Sequence, residues 1–236
     1  MAQTYRTNPE ASRQLLEPIL AVTQEPDFSI QLIYRIAQYI GDIAPSDAAF
    51  TERLYLLVFS TAVSSEEKTL MAGGPVFSMT STRRQDFQMC QYLLLEYFRI
   101  YLKLAPVPAA RTALRCVDPF VEENHVRRHL NEGFSVADVT TEFAFRGGTA
   151  QYMRDSSFIW DRGSDPYEPT QMADDVRRTI GELAESPEAS ATLDLVLNLF
   201  RDEVRSAFLW RRLIGATTDH PDRFVNQAYE LSIAEP

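Results

Sequence analysis

The sequence has little glycine, almost no lysine and few histidines, and these shortages narrow the classes of protein to which it can belong. Of 236 residues only 9 are glycine, whereas antiparallel β-proteins use glycine at many of their tight turns. Hydrophobic residues nevertheless make up 45% of the chain, including 14 Phe and 10 Tyr, which is enough for a sizeable core. The composition therefore favours a folded, mainly helical protein.

Cysteine is equally scarce, and no long apolar run is present. The two cysteines, Cys90 and Cys116, fall in predicted helices and form no CxxC pair, so we expect buried free thiols in a reducing compartment. The N-terminal residues are polar, and the longest apolar run, residues 54–59, is far shorter than the roughly 20 residues that a membrane-spanning helix needs. These observations predict an intracellular protein, cytoplasmic or nuclear, without a membrane span.

The net charge of −10 lies mostly in the second half of the chain. Residues 119–236 hold 21 acidic and 12 basic side chains, a net charge of −9. A strongly acidic surface repels phosphate backbones, which argues against nucleic acid as a partner. Of the 23 basic residues 21 are arginine, whose planar guanidinium suits bidentate and stacked contacts at protein interfaces.

Apolar residues recur at helical spacing along most of the chain and predict an all-α protein, an irregular bundle of about nine or ten helices. Residues 105–117 contain the helix-breaking stretch "APVPAA" and are a possible hinge between two helical lobes. The N-terminal lobe would span residues 1–104 around a long central helix at 82–104. The acidic C-terminal lobe would span residues 118–236.

Further helices are predicted at particular boundaries. The stretch "DP" starts one that Gly133 ends, and "SPE" starts the longest one, at residues 187–214. A short helix is expected at 65–71, one from Ser135 to the glycines at 147–148, one at 170–185 and one at 221–232. Residues 134–145 come nearest to the alternation of a β-strand, but no partner strand is evident, and residues 149–169 look irregular.

The stretch "VDPFVEENHVRRHLNEG" places Glu122, His125 and His129 on one helix face, at spacings of three and four residues. Two histidines four residues apart can bind zinc, and Glu-x-x-His occurs in di-iron bundles. A zincin would need glutamate where Val126 stands, and a di-iron site would need a second Glu-x-x-His pair. Helix-dipole interactions explain the same charges without a metal, so we expect no cofactor.

Other catalytic motifs are weak. The sequence contains no GxSxG, P-loop or Rossmann fingerprint. Asp174 and Asp175 in "ADDVRR" resemble a magnesium-binding pair, but they fall in the first turn of a predicted helix, where solvated acids are common. An enzyme is therefore the less favoured class.

Aromatic and arginine side chains are interleaved in residues 143–167, the least regular part of the chain. Such residues dominate binding hot spots, although the segment could instead fold back and anchor its rings in the core. Phe208 and Trp210, near the end of the longest predicted helix, are also expected to bind a partner, because that end carries more apolar side chains than one buried stripe can hold. The candidate partner-binding residues are Phe145, Arg146, Tyr152, Arg154, Phe158, Trp160, Arg162, Tyr167, Phe208 and Trp210.

Four Arg-Arg pairs, at 83–84, 127–128, 177–178 and 211–212, could form a basic groove if the fold brought them together. A nucleocapsid-like protein would need such a groove; otherwise the pairs are surface ion pairs with the many acids.

The sequence therefore predicts a non-enzymatic interaction or assembly protein, such as an adaptor, scaffold, specific chaperone or structural subunit. It would bind a protein partner or form a homo-oligomer. The alternatives are a metal-dependent enzyme at Glu122, His125 and His129 and a helical nucleic-acid-binding protein.

Overall fold

The computed structural model describes residues 4–21, 26–60, 64–68, 75–77, 81–127, 135–159 and 167–234. Within these residues the chain forms ten α-helices and two small two-stranded antiparallel sheets, which confirms the predicted all-α class. The chain divides into two compact units, residues 1–101 and residues 102–236. No helix in the described ranges combines the length and the apolar character needed to cross a membrane.

The first unit contains four helices, a small sheet and most of a fifth helix. In chain order these are α1 (Pro9–Ala21), α2 (Pro26–Ala37), α3 (Ile40–Ile43), α4 (Ala48–Ser60), β1 (Ser64–Lys68), β2 (Pro75–Phe77) and α5 (Ser81–Leu104). The second unit contains α6 (Pro106–Val121), β3 (Thr140–Phe145), β4 (Gly148–Met153), α7 (Thr170–Glu185), α8 (Ser190–Glu203), α9 (Ala207–Asp219) and α10 (Val225–Ser232).

Helix α5 supplies much of the first unit's core. Its apolar residues recur every three or four positions, and the side chains of Phe87, Cys90, Leu94, Phe98 and Tyr101 are buried. The ring of Tyr55 on α4 packs on Phe98 and Tyr101, and its hydroxyl donates to the Leu94 carbonyl at 2.7 Å. The long helix predicted at 82–104 is confirmed.

The short helix predicted at residues 65–71 is wrong at residues 65–68, because Ser64–Lys68 is a strand paired with Pro75–Phe77, and residues 69–71 lie outside the described residues. The sequence "SSEEK" has no apolar stripe through which a helix could pack on a core, so pairing with a second strand can outweigh its local preference for helix.

The helix predicted from Ser135 to residues 147–148 is also wrong. Strands β3 and β4 form a hairpin whose two-residue turn, Arg146-Gly147, has φ of 51° and 69°. Two left-handed residues match the twist of a hairpin, and glycine meets this requirement without strain. Of the alternating stretch, residues 140–145 form the strand, and Val136–Val139 before them form a short 3-10 helix. The partner of the strand is the "GTAQYM" that follows immediately, within the segment predicted to be irregular.

Three predicted helix boundaries need correction. Helix α6 begins at Pro106 rather than at Asp118, so most of the possible hinge, residues 105–117, is helical; its hinge role stays a prediction. The single helix predicted at 187–214 is two helices, because residues 204 and 206 are extended, with ψ of 137° and 140°. The helix at 170–185 is confirmed, and the last helix begins at Val225 instead of Pro221.

Candidate interaction surface

The suggested metal ligands do not form a ligand set in the part of the chain that the structure describes. No group of three His, Cys, Asp or Glu side chains in the described ranges could hold an ion. Both carboxylate oxygens of Glu122 are already engaged: Oε1 accepts from Arg127 Nη2 at 2.7 Å, and Oε2 accepts from Arg205 Nη2 at 2.8 Å. His129 lies outside the described residues. Glu122 is therefore neutralised by two guanidinium groups instead of being open to a cation.

Local backbone geometry explains why Glu122 meets an arginine. Residues Glu122–Val126 form a π-helical turn, and the Arg127 N–H donates to the Glu122 carbonyl. Such a turn is closed by a hydrogen bond between residues five apart, instead of four as in an α-helix, and Arg127 Nη2 lies 2.7 Å from Glu122 Oε1. The backbone over Glu122–Val126 therefore departs from the α-helical spacing on which the shared face of Glu122 and His125 was predicted.

Arg205 belongs to the corner between α8 and α9, where acceptors from distant parts of the chain cap a helix start. Asp118, on α6, accepts from the backbone N–H groups of Arg205 and Ser206, with Oδ1 2.7 Å from the Ser206 nitrogen. Asp155 Oδ2 accepts from the Ala207 N–H at 3.0 Å, and Ser157 Oγ accepts from the Phe208 N–H at 2.9 Å. Four consecutive N–H groups at the start of α9 thus have side-chain acceptors.

Asp118 is 3% exposed, and its burial raises the pKa of its carboxyl group, while the N–H groups of Ser206 and Arg205 and the Arg205 guanidinium act in the opposite direction. The first N–H groups of any helix lack partners within the helix, so they need acceptors from elsewhere. The carboxylates of Asp118 and Asp155 therefore act as caps for the start of α9. These caps explain why the predicted single helix breaks at this corner.

Three of the aromatic residues expected at a partner surface pack inside the second unit. Phe145, Phe208 and Trp210 are buried, and the indole ring of Trp210 contacts Phe143, Phe145 and Phe200. The Trp210 Nε1–H donates to the Gln151 carbonyl at 2.8 Å. For these rings the structure matches the alternative in which the segment folds back and anchors its aromatics in the core.

Arg146 connects the hairpin turn to two helices. Its Nη2 donates to Asp194 at 2.6 Å and its Nε to Asn198 at 3.1 Å, both on α8. Its backbone N–H donates to Glu230 Oε2 on α10 at 3.0 Å. Arg146 therefore holds the second unit together instead of extending toward a partner.

The other predicted partner-binding residues are scattered or outside the described set. Tyr152 and Tyr167 are half-buried, and Arg154 is exposed at the end of β4. The Phe158 side chain, Trp160 and Arg162 lie outside what the structure describes. Their part in binding stays a prediction.

Described members of the arginine pairs contact acidic side chains. Arg177 pairs with Asp219 at 2.6 Å, Arg178 with Asp175 at 3.2 Å, and Arg212 with Asp174 at 3.3 Å. Arg177 and Arg178 line a groove of about 660 Å³, which they share with Asp174, Glu182, Glu185, Asp219 and His220. This groove carries mixed charge and more acids than bases, which does not suit a phosphate backbone.

The C-terminal helix α10 presents a different surface. Three large apolar side chains of this region are exposed. Val225, the first residue of the helix, is 64% exposed; Tyr229, near its middle, is 64% exposed; and Ile233, just after its last residue, is 57% exposed. With the exposed polar residues Asn226 and Ser232 they make up the outward side of the helix, here named the α10 face. The face has no charged residue, because the only charge in the helix, Glu230, bonds to the hairpin turn.

A signal for this face is present in the sequence "FVNQAYELSI". Phe224, Ala228 and Leu231 form one apolar stripe, and Val225, Tyr229 and Ile233 form a second stripe one residue further along. Phe224 is buried, so the first stripe faces the unit. One helix packed against one unit cannot bury both stripes. Sequence reasoning identified the helix but did not separate its two stripes.

Neither a protein-family model, nor a curated protein, nor a solved structure shows significant similarity to this chain.

Proposed function

We propose that the chain is a non-enzymatic protein-association module that docks through the α10 face. One observation carries this proposal: three large apolar side chains stand at four-residue spacing on an exposed, charge-free helix face. A single exposed apolar residue is ordinary at a protein surface, whereas a continuous stripe is typical of a binding site.

The same spacing matches a known mode of recognition. Amphipathic helices dock into partners through apolar residues about one helical turn apart, and tyrosine is enriched among the residues that dominate binding. Fully burying one such side chain stabilises a complex by roughly 1.5–3 kcal/mol before the entropic cost of association. Three of them can support a specific but modest interaction.

Site-specific photo-crosslinking in cells tests the proposal. A benzophenone amino acid in place of Tyr229 resembles tyrosine in shape, so it should crosslink the full chain to whatever protein covers the α10 face. The matched control places the same amino acid at Glu182, which is exposed on α7 within the charged groove. Crosslinked protein at position 229 and not at 182 is the expected result. Equal yields at the two positions, or none at 229, would reject the α10 face as a docking surface.

A further inference from the structure

We infer that His220 is a pH-dependent link between α7 and α9, and that protonation of its imidazole strengthens the contact between the ends of these two helices. The inference is independent of the α10 face, because it concerns the charged groove on the other side of α9. It is drawn from the way in which the two helices interlock at a pair of glycines.

Each of the two helices has a glycine that is covered by a long side chain of the other. Arg177 on α7 lies over Gly215 on α9, where an added Cβ would stand 2.8 Å from the guanidinium carbon. His220 lies over Gly181 on α7, where an added Cβ would stand 2.6 Å from Nε2. A side chain at either glycine would occupy this space, so both positions allow a nitrogen-bearing group to lie close to the backbone of the facing helix.

A carboxylate lies one helical turn after the glycine in each case. Asp219 Oδ2 is 2.6 Å from Arg177 Nη2, and Glu185 Oε1 is 3.7 Å from His220 Nδ1. The two halves of the contact are therefore built alike but differ in one property. A guanidinium group keeps its charge across the physiological range, whereas histidine is the side chain whose charge ordinarily changes between about pH 5 and 8.

The ends of both helices add to the preference for a positive imidazole. Arg177 meets position 215 and His220 meets position 181, so the contacts follow the same order along both helices and the helices run parallel. His220 is the C-cap residue of α9, and Glu185 is the last residue of α7. The negative ends of two helix dipoles therefore converge near the imidazole, and a cation is favoured at such an end.

The neighbouring charged groups act in the same direction. Those of α7, α9 and the connection to α10 are Asp174, Arg177, Arg178, Glu182, Glu185, Asp219, Asp222 and Arg223. Both guanidinium groups of α7 and the carboxylate of Asp174 already pair with groups of opposite charge. Glu182 and Glu185 therefore set the sign of the local field, which favours the protonated ring.

The direction of the pH effect follows from linkage. An imidazolium that gains partners on folding contributes stability at the acidic end of the histidine range, and this contribution is lost as the pH rises through that range. The His220 side chain is 27% exposed and that of Glu185 is 70% exposed, so solvent screens their attraction. We expect the total effect on the ratio of folded to unfolded chain to be about fivefold.

Urea unfolding of the full chain at about pH 5.5 and about pH 8.5 tests the inference. Tryptophan fluorescence reports on the second unit, because both tryptophans lie in residues 102–236. His220→Gln stays neutral at both pH values, so its deficit in the folded-to-unfolded ratio should be about fivefold larger at the acidic pH. Asp194→Asn, which removes the pair with Arg146, is the control and should have the same effect at both. An equal deficit for His220→Gln at the two pH values would overturn the inference.

Two matched glycine variants test the geometry. Gly181→Ala forces the imidazole away from α7, so the acid-dependent part of the stability should largely disappear. Gly215→Ala makes the same change at the facing glycine but displaces Arg177, so it should keep the full pH dependence. The higher helix propensity of alanine acts equally at both pH values and cancels in this comparison. Full pH dependence in Gly181→Ala, or equal losses in the two variants, would contradict the placement of His220 as the pH-dependent link.

Discussion

The corner between α8 and α9 and the helix α10 are near neighbours in sequence, yet their polar and apolar groups are used in opposite ways. At the corner, Asp118, Asp155 and Ser157 accept from consecutive backbone N–H groups, and the rings of Phe200 and Trp210 from the two adjoining helices pack together. On α10 no residue is buried, and three large apolar side chains face outward. The corner satisfies its groups within the unit, while α10 leaves large apolar side chains exposed.

The comparison shows that charge and aromatic content alone do not identify an interaction surface. In the described part of the segment richest in arginine and aromatic residues, 143–167, Phe145 lies in the core and Arg146 makes internal bonds to α8 and α10. The exposed apolar stripe lies instead on the α10 face, which carries no charged residue. Substitutions at the corner should therefore reduce stability, and substitutions on the α10 face should affect association.

Replacing Asp118 with Ala should have the largest effect on stability. It removes the acceptor of the Arg205 and Ser206 N–H groups and leaves them buried without a partner. We expect the free energy of unfolding of the second unit to fall by about 3 kcal/mol. Both tryptophans, Trp160 and Trp210, lie in residues 102–236, so tryptophan fluorescence during urea unfolding reports on this unit. Asp222→Ala, at an exposed position, is the control, and an equal loss for both variants would contradict the capping role.

Replacing Ser157 with Ala should have a smaller effect at the same corner. It removes the acceptor of the Phe208 N–H but leaves the contributions of Asp118 and Asp155. Loss of a helix cap costs about 1 kcal/mol, so the urea midpoint should shift by roughly a third of the shift caused by Asp118→Ala. A shift as large as that of Asp118→Ala would mean that the three acceptors act as one unit.

Replacing Glu230 with Ala should loosen α10 without unfolding the unit. Glu230 bonds to the Arg146 N–H, and α10 has no buried residue of its own to keep it in place. We expect faster amide hydrogen exchange in residues 225–232, equivalent to about 0.5–1 kcal/mol, with little change in tryptophan-monitored unfolding. Gln227→Ala, on the same helix and without a charge, is the matched control. Unchanged exchange in the Glu230 variant would show that other contacts hold the helix.

Replacing Tyr229 with Glu should change stability least. The side chain is exposed, so the free energy of unfolding should stay within about 0.5 kcal/mol of the original value. The added carboxylate would place a charge in the middle of the apolar stripe, so crosslinking of a partner from a benzophenone amino acid at Val225 should be lost. Tyr229→Phe keeps the ring and should retain association. A loss of stability comparable to that of Ser157→Ala would mean that Tyr229 supports the fold of the unit.

The helical class and the long α5 could be predicted because they depend on local periodicity. The hairpin at Thr140–Met153 could not be predicted from the alternation of one segment alone, although its pairing segment follows after only two residues. The break between α8 and α9 could not be predicted from the local sequence, because the side-chain acceptors that stabilise it lie 51 to 88 residues earlier in the chain.

The suggested metal site and the α10 face also differ in how far the local sequence predicts them. The spacing of Glu122 and His125 indicates a shared face only if the helix is regular, and the π-helical turn removes that premise. The two apolar stripes of α10 are a local sequence pattern and can be predicted. Which of the two is exposed cannot, because that depends on which stripe the rest of the unit covers.

The long reach of the α9 caps also bears on the order in which the second unit can fold during synthesis. The segments with Asp118, Asp155 and Ser157 leave the ribosome before the N–H groups that they will accept, the earliest by 88 residues. Contacts so distant in sequence slow folding and leave apolar surface exposed in incomplete chains. The carboxylate of Asp118 therefore has no α9 N–H group to bind until residues 205 and 206 have been synthesised, so the cap at this corner forms late in the synthesis of the second unit.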